Sequence, residues 1–161
     1  MTAVNTRLAA IETEVKNLDK EIRAAPKVAF SAALTNSGYI ESGENNLNLV
    51  FSRVFTNVGQ AYSSVSGFFT APNKGVYYFR FNVMDLLTTR SMNIRMNKNG
   101  QHLVDLWERD TDGQPSDLSS GLTLQLEEGD VVNMVLTAGH SLHDDGHHNY
   151  CTFSGFLIFP L

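Results

Sequence analysis

Two hydrophobic periodicities divide the chain. Over the first 25 residues the apolar positions are Val4, Leu8, Ile11, Val15, Leu18, Ile22 and Ala25, with spacings that alternate between four and three. That is the seam of a coiled coil, and it predicts a helix over residues 1–25. Glu12 with Lys16, and Asp19 with Arg23, add pairs four residues apart. Pro26 ends the helix, because its ring cannot donate to the ladder and disfavours helical geometry in the residue before it. The stripe is narrow, which favours pairing with other helices over packing on the chain's own domain. Roughly three heptads are marginal alone, so the coil needs help from the rest of the chain. Its mixed branched and unbranched core does not choose the number of strands.

From Lys27 onward the period changes to two. Residues 27–35 predict a first strand. Residues 75–84 alternate, with Tyr77, Phe79, Phe81 and Val83 on one face. Strands over 91–98 and 101–107 flank Asn99-Gly100, a strong two-residue hairpin signal. Strands over 121–126 and 131–137 flank Glu127-Glu128-Gly129-Asp130, and residues 150–159 form a last strand. No helical period returns after Pro26. Short strands with frequent turns and no helices between them predict an all-β sandwich or jelly roll. The organisation is therefore a coiled-coil helix over 1–25 and one globular domain over 26–161.

Composition narrows the function more than the fold. The net charge is −5, which does not suit nucleic acid or an anionic membrane as main partner. No apolar run approaches the roughly 18 residues of a membrane span, so no insertion is expected. Cys151 is the single cysteine, so an internal disulfide is impossible. In its apolar, alternating surroundings it is expected to be a buried, inert thiol. No serine-hydrolase elbow, phosphate loop or zinc-protease helix occurs, and no enzymatic activity is expected. One segment does hold chemistry. Residues 139–149 carry His140, His143, His147 and His148 with Asp144 and Asp145, and their polarity reads as a loop between the last two strands. Imidazoles and carboxylates at this density are a candidate transition-metal site, set against the simpler reading of a solvated loop.

A spaced set of aromatics and glycine runs through the middle strands: Phe51, Asn57, Tyr62, Phe69, Gly75, Tyr77, Phe79 and Phe81. KVAFSA at 27–32, KNG at 98–100, LEEGD at 126–130 and TFSGFLIFPL at 152–161 accompany it. In these features, over residues 27–161, the chain resembles the complement C1q domain family, and within it the C1q-like and cerebellin-like proteins without a collagen stalk. The resemblance implies a ten-strand jelly roll of the tumour necrosis factor type, assembled as a homotrimer. The seam residues Val4, Leu8, Ile11, Val15, Leu18 and Ile22 would then wind three helices about the same axis. Phe51, Tyr62, Phe69, Gly75, Tyr77, Phe79, Phe81, Phe153 and Phe156 are the expected core, with Gly75 opening its strand from a tight turn.

The resemblance also implies a secreted, extracellular protein whose targeting signal is absent from this chain. Its expected work is multivalent, lectin-like or innate-immune recognition of microbial or cell-surface ligands. The alternative is a cerebellin- or adiponectin-like signal that clusters a receptor. Several family members hold calcium near the three-fold axis, in the loop that is residues 107–121 here. Asp117 falls at the family's acidic position, and Glu108, Asp110 and Asp112 lie nearby without matching its spacing. Calcium is thus the one cofactor the resemblance suggests, since carboxylate oxygens suit that ion.

Overall fold

The computed structural model describes residues 2–86, 91–109 and 111–161. Helix α1 spans Thr2–Ala24. Among the described residues twelve strands come after it: β1 Ala29–Ala33, β2 Gly38–Glu41, β3 Leu47–Asn48, β4 Arg53–Val58, β5 Phe69–Thr70, β6 Gly75–Asp85, β7 Met92–Lys98, β8 Gln101–Glu108, β9 Ser116–Leu126, β10 Val131–Leu136, β11 Ser141–Asp144 and β12 Thr152–Pro160. Ten of them form two sheets of five. One runs β4-β1-β12-β6-β9, and the other runs β3-β10-β7-β8 with β5 also paired to β10. The remaining two, β2 and β11, make a separate ribbon. The expected jelly-roll sandwich is present.

The core arises from the period of two. In β6, Tyr77, Phe79, Phe81 and Val83 point inward and are fully buried, while Val76, Tyr78, Arg80 and Asn82 point out. Met92, Ile94 and Met96 do the same for β7 in the facing sheet. Aromatic rings fill the space between. Phe30 stacks on Tyr62 with centroids 4.6 Å apart and meets Phe153 edge-on at 4.9 Å, and Phe69 meets Phe79 edge-on at 5.0 Å. Such pairs contribute about 0.5–1.5 kcal/mol each beyond the area they bury.

Two expectations are corrected, and one gains a further reason. Phe156 is not core: its side chain is 45% exposed. In β12 the alternation sends Phe153 and Gly155 inward, and Phe156 therefore outward. Gly75 opens β6 directly after the bend at residues 72–74, as expected, and a close approach adds the reason it is glycine. A Cβ there would sit 2.7 Å from Leu157 Cδ1 and 2.8 Å from the Phe159 carbonyl oxygen. The segment 139–149 is not a simple loop, since Ser141–Asp144 forms β11, antiparallel to β2 with Leu142 opposite Ile40. Leu142 is fully buried and, with the half-buried Ile40 packed against the same core, anchors the ribbon.

Candidate assembly face and loop sites

Helix α1 keeps its seam uncovered. None of its residues is buried, and Leu8, Ile11, Val15 and Leu18 are all more than half exposed. Arg23 Nε lies 2.8 Å from Asp19 Oδ2, the expected surface pair. An amphipathic helix that covers nothing of its own domain has a seam free for other chains.

The sheet that the helix leads into carries a second uncovered apolar surface. Cross-strand register puts Val58 opposite Ala29, Ala29 opposite Phe156, Phe156 opposite Tyr78, and Tyr78 opposite Thr123. One apolar row therefore crosses the outer face from β4 to β6. Tyr78 and Phe156 pack with centroids 5.7 Å apart. Tyr78 has room because position 121 is glycine: a Cβ there would lie 2.3 Å from the Tyr78 hydroxyl oxygen. Val58, Ile158 and Phe159 are each about half exposed nearby. The next row, Thr56, Ser31, Ser154, Arg80 and Gly121, is polar or small. The apolar row thus lies at the end where α1 joins β1.

The acidic segment is spread out. Asp117 is exposed on β9, opposite Met84. Glu108 ends β8 and accepts a hydrogen bond from Ser116 Oγ at 2.9 Å. Asp112 Oδ1 accepts the Gln114 amide at 3.1 Å. Asp110 lies outside the described residues. Among the described residues, no three His, Cys, Asp or Glu side chains are gathered to hold a metal ion.

The six residues of the histidine segment are likewise given different tasks. Asp144 is fully buried and fastens the backbone. Its Oδ2 accepts the amides of Leu34 and Thr35, both at 3.1 Å, and its Oδ1 accepts those of Asp145 at 3.0 Å and Cys151 at 3.3 Å. His140 Nδ1 lies 3.0 Å from Thr137 Oγ1. His143 packs edge-on against Tyr39, and its Nδ1 is buried without a partner. His147 is exposed, and its amide donates to Asp145 Oδ1. His148 Nδ1 lies 2.9 Å from Asp145 Oδ2, and this hydrogen bond, with the amides of His148 and His147, brings the Asp145 carboxyl down to about 2. The strand register, invisible in the composition of the segment, decides these roles.

Cys151 is fully buried, and burial, with Asp144 and Asp85 adding to it, pushes its thiol up to about 12. A thiol held protonated in this way is a poor nucleophile.

Two sequence comparisons bear on this architecture. The C1q domain model matches residues 29–158. Complement C1q tumor necrosis factor-related protein 3 of Mus musculus is 32% identical over 133 residues, which is 83% of this chain and 52% of that protein. The chain thus spans about half the length of this curated relative. Among solved structures, the globular domain of zebrafish complement 1qA superposes with a TM-score of 0.64 at 23% identity, covering 84% of this chain and 99% of that one. Eiger TNF from S. frugiperda also gives 0.64, at 14% identity, with 84% and 95% covered. These two show the fold. With the family's domain matched from the start of β1 into β12, the chain belongs to the C1q domain family.

Proposed function

We propose that this protein is an extracellular homotrimer that recognises repeated ligands through three identical heads. The observation that carries the reading is the pair of uncovered apolar surfaces: the α1 seam and the row Val58, Ala29, Phe156 and Tyr78. Only residues 25–28 separate helix from sheet, so both surfaces can serve one three-fold axis. Each part then raises the effective concentration of the other, which compensates for a coil of about three heptads. Three heads on one axis turn weak single contacts into strong binding to a repetitive surface. The acidic residues Glu108, Asp112 and Asp117 would bring like charges together near the axis, and calcium shared between copies would relieve that repulsion.

A second reading has comparable support. The murine relative is named for its C1q and tumour necrosis factor relationship, and the Eiger and complement structures share this fold. A trimer of this shape could equally cluster a cell-surface receptor as a signal.

Sedimentation of the full chain in calcium, and again after chelation, tests the assembly. Three chains per particle in both buffers supports the shared axis without calcium. A trimer that falls apart on chelation supports an ion shared between copies. A monomer in both removes the multivalent mechanism. Binding to a panel of microbial surfaces favours recognition, and saturable binding to one membrane protein favours signalling.

A further inference from the structure

Two motifs of the chain lie outside the apolar row: Lys98-Asn99-Gly100 at the tip of the β7–β8 hairpin, and Glu127-Glu128-Gly129-Asp130 between β9 and β10. They are locked together. Asn99 Nδ2 donates to Asp130 Oδ1 at 2.8 Å, and Asn99 Oδ1 accepts the amide of Val131 at 2.8 Å. The backbone amide of Asn99 donates to the Val131 carbonyl, also at 2.8 Å. The other oxygen of Asp130, Oδ2, accepts the Glu127 amide at 2.9 Å and lies 2.9 Å from Lys98 Nζ. One side-chain amide and one carboxylate therefore clasp two turns, and both ends of the amide are taken.

Asn99-Gly100 is also the only Asn-Gly pair in the sequence. Such a pair is chemically labile, because glycine has no side chain to shield its amide. The glycine nitrogen, once it has lost its proton, attacks the asparagine Cγ. A C–N bond forms, the side-chain nitrogen leaves as ammonia, and a cyclic imide results. Water then opens the ring to aspartate or isoaspartate, so no oxidant or further reactant is required. Both residues are exposed at the hairpin tip, with φ of 51° at Asn99 and 74° at Gly100. Among the described residues, a Cβ built on Gly100 would have no neighbour within 4 Å. The tip is open to water, and what holds the amide is its hydrogen bonds to Asp130 and Val131.

We infer that Asn99 is a modification site, a point of spontaneous deamidation gated by Asp130. Ring closure expels the very nitrogen that Asp130 holds, so the native clasp slows the reaction and any loosening of the β9–β10 turn speeds it. The product cannot restore the clasp. Aspartate at this position has no N–H to donate and sets a second carboxylate against Asp130. Isoaspartate lengthens the backbone of a two-residue turn, and that turn fixes the register of β7 on β8. The change is irreversible, so each opening that leads to reaction leaves a permanent mark at the hairpin tip.

The full chain is incubated in mildly alkaline buffer, and the fragment carrying residue 99 is followed by mass spectrometry and by enzymatic methylation of isoaspartate. The same chain unfolded in urea gives the ungated rate. The folded parent should react at Asn99 about tenfold or more slowly than the unfolded chain. Asp130→Ala, checked for folding by circular dichroism, should react about tenfold faster than the folded parent, the weight of one charge-assisted hydrogen bond. Equal rates in the folded and unfolded parent overturn the gate, as do equal rates in the parent and Asp130→Ala, or reaction only at other asparagines. Asn99→Asp keeps the test open if Asp130→Ala does not fold. It mimics the product and should melt about 2–4 °C below the parent near neutral pH. An unmoved melting temperature would overturn the clasp.

Discussion

Tyr78 and Phe156 face each other across β6 and β12 with ring centroids 5.7 Å apart, on the outside of the sheet. Aromatic pairs of this kind ordinarily lie between the sheets, as Phe30 and Phe153 do here. Phe156→Asp should therefore leave the head folded and break the assembly. Far-ultraviolet circular dichroism is expected to be unchanged, and sedimentation to shift from three chains to one at micromolar concentration. A trimer that survives this change would place the assembly face elsewhere.

The helical seam can be tested separately, because no residue of α1 is buried. Val15→Asp puts a charge in the middle of the seam. It is expected to weaken trimer association by about tenfold or more, since a buried unpaired charge is costly, and to leave the melting of an isolated head unaltered. Equal trimer stability in both proteins would mean that α1 takes no part.

Asp144 is expected to behave as a structural residue. Without its carboxylate, the amides of Thr35, Asp145 and Cys151 lose their acceptor, and that of Leu34 keeps only the Cys151 carbonyl at 3.0 Å. Asp144→Ala should cost about 2–4 kcal/mol in denaturant unfolding, whether or not zinc is present. His147→Ala, at an exposed position, should cost little. A zinc-dependent loss in both would restore the metal reading of the segment.

Alkaline pH should loosen the head before strong base does. Burial raises Tyr62 from 10.0 to about 12 and Cys151 from 9.0 to about 12. Each group keeps its proton in the folded protein over a range where the unfolded chain has released it. Their contribution is fully present below about pH 9 and is lost as pH rises toward 12, by up to about 1.4 kcal/mol per pH unit for each group. Urea midpoints measured from pH 8 to 11 should fall accordingly. Cys151→Ala should flatten the lower part of that slope, and the native thiol should resist alkylation until the chain unfolds.

Much of the architecture was legible in the sequence because it rests on periodicity. Spacings of four and three identified α1, and alternation identified the long strands and the inward Tyr77, Phe79 and Phe81. The C1q pattern identified the family, since a packed aromatic core fixes which positions must be large. Alternation from Phe153 also places Phe156 on the outer face.

The remainder depended on contacts between distant residues. That Asp144 is a fastener required β11 to lie beside residues 34 and 35, more than 100 positions away in sequence. That Gly75 and Gly121 must be small required Leu157 and Tyr78 to come close from neighbouring strands. That Asn99 is held by Asp130 likewise required β7 to lie beside β10. Local sequence determined which elements form and which face of each is apolar. Only the tertiary structure decided which strands are neighbours, and so which polar groups are held by the fold and which stay exposed.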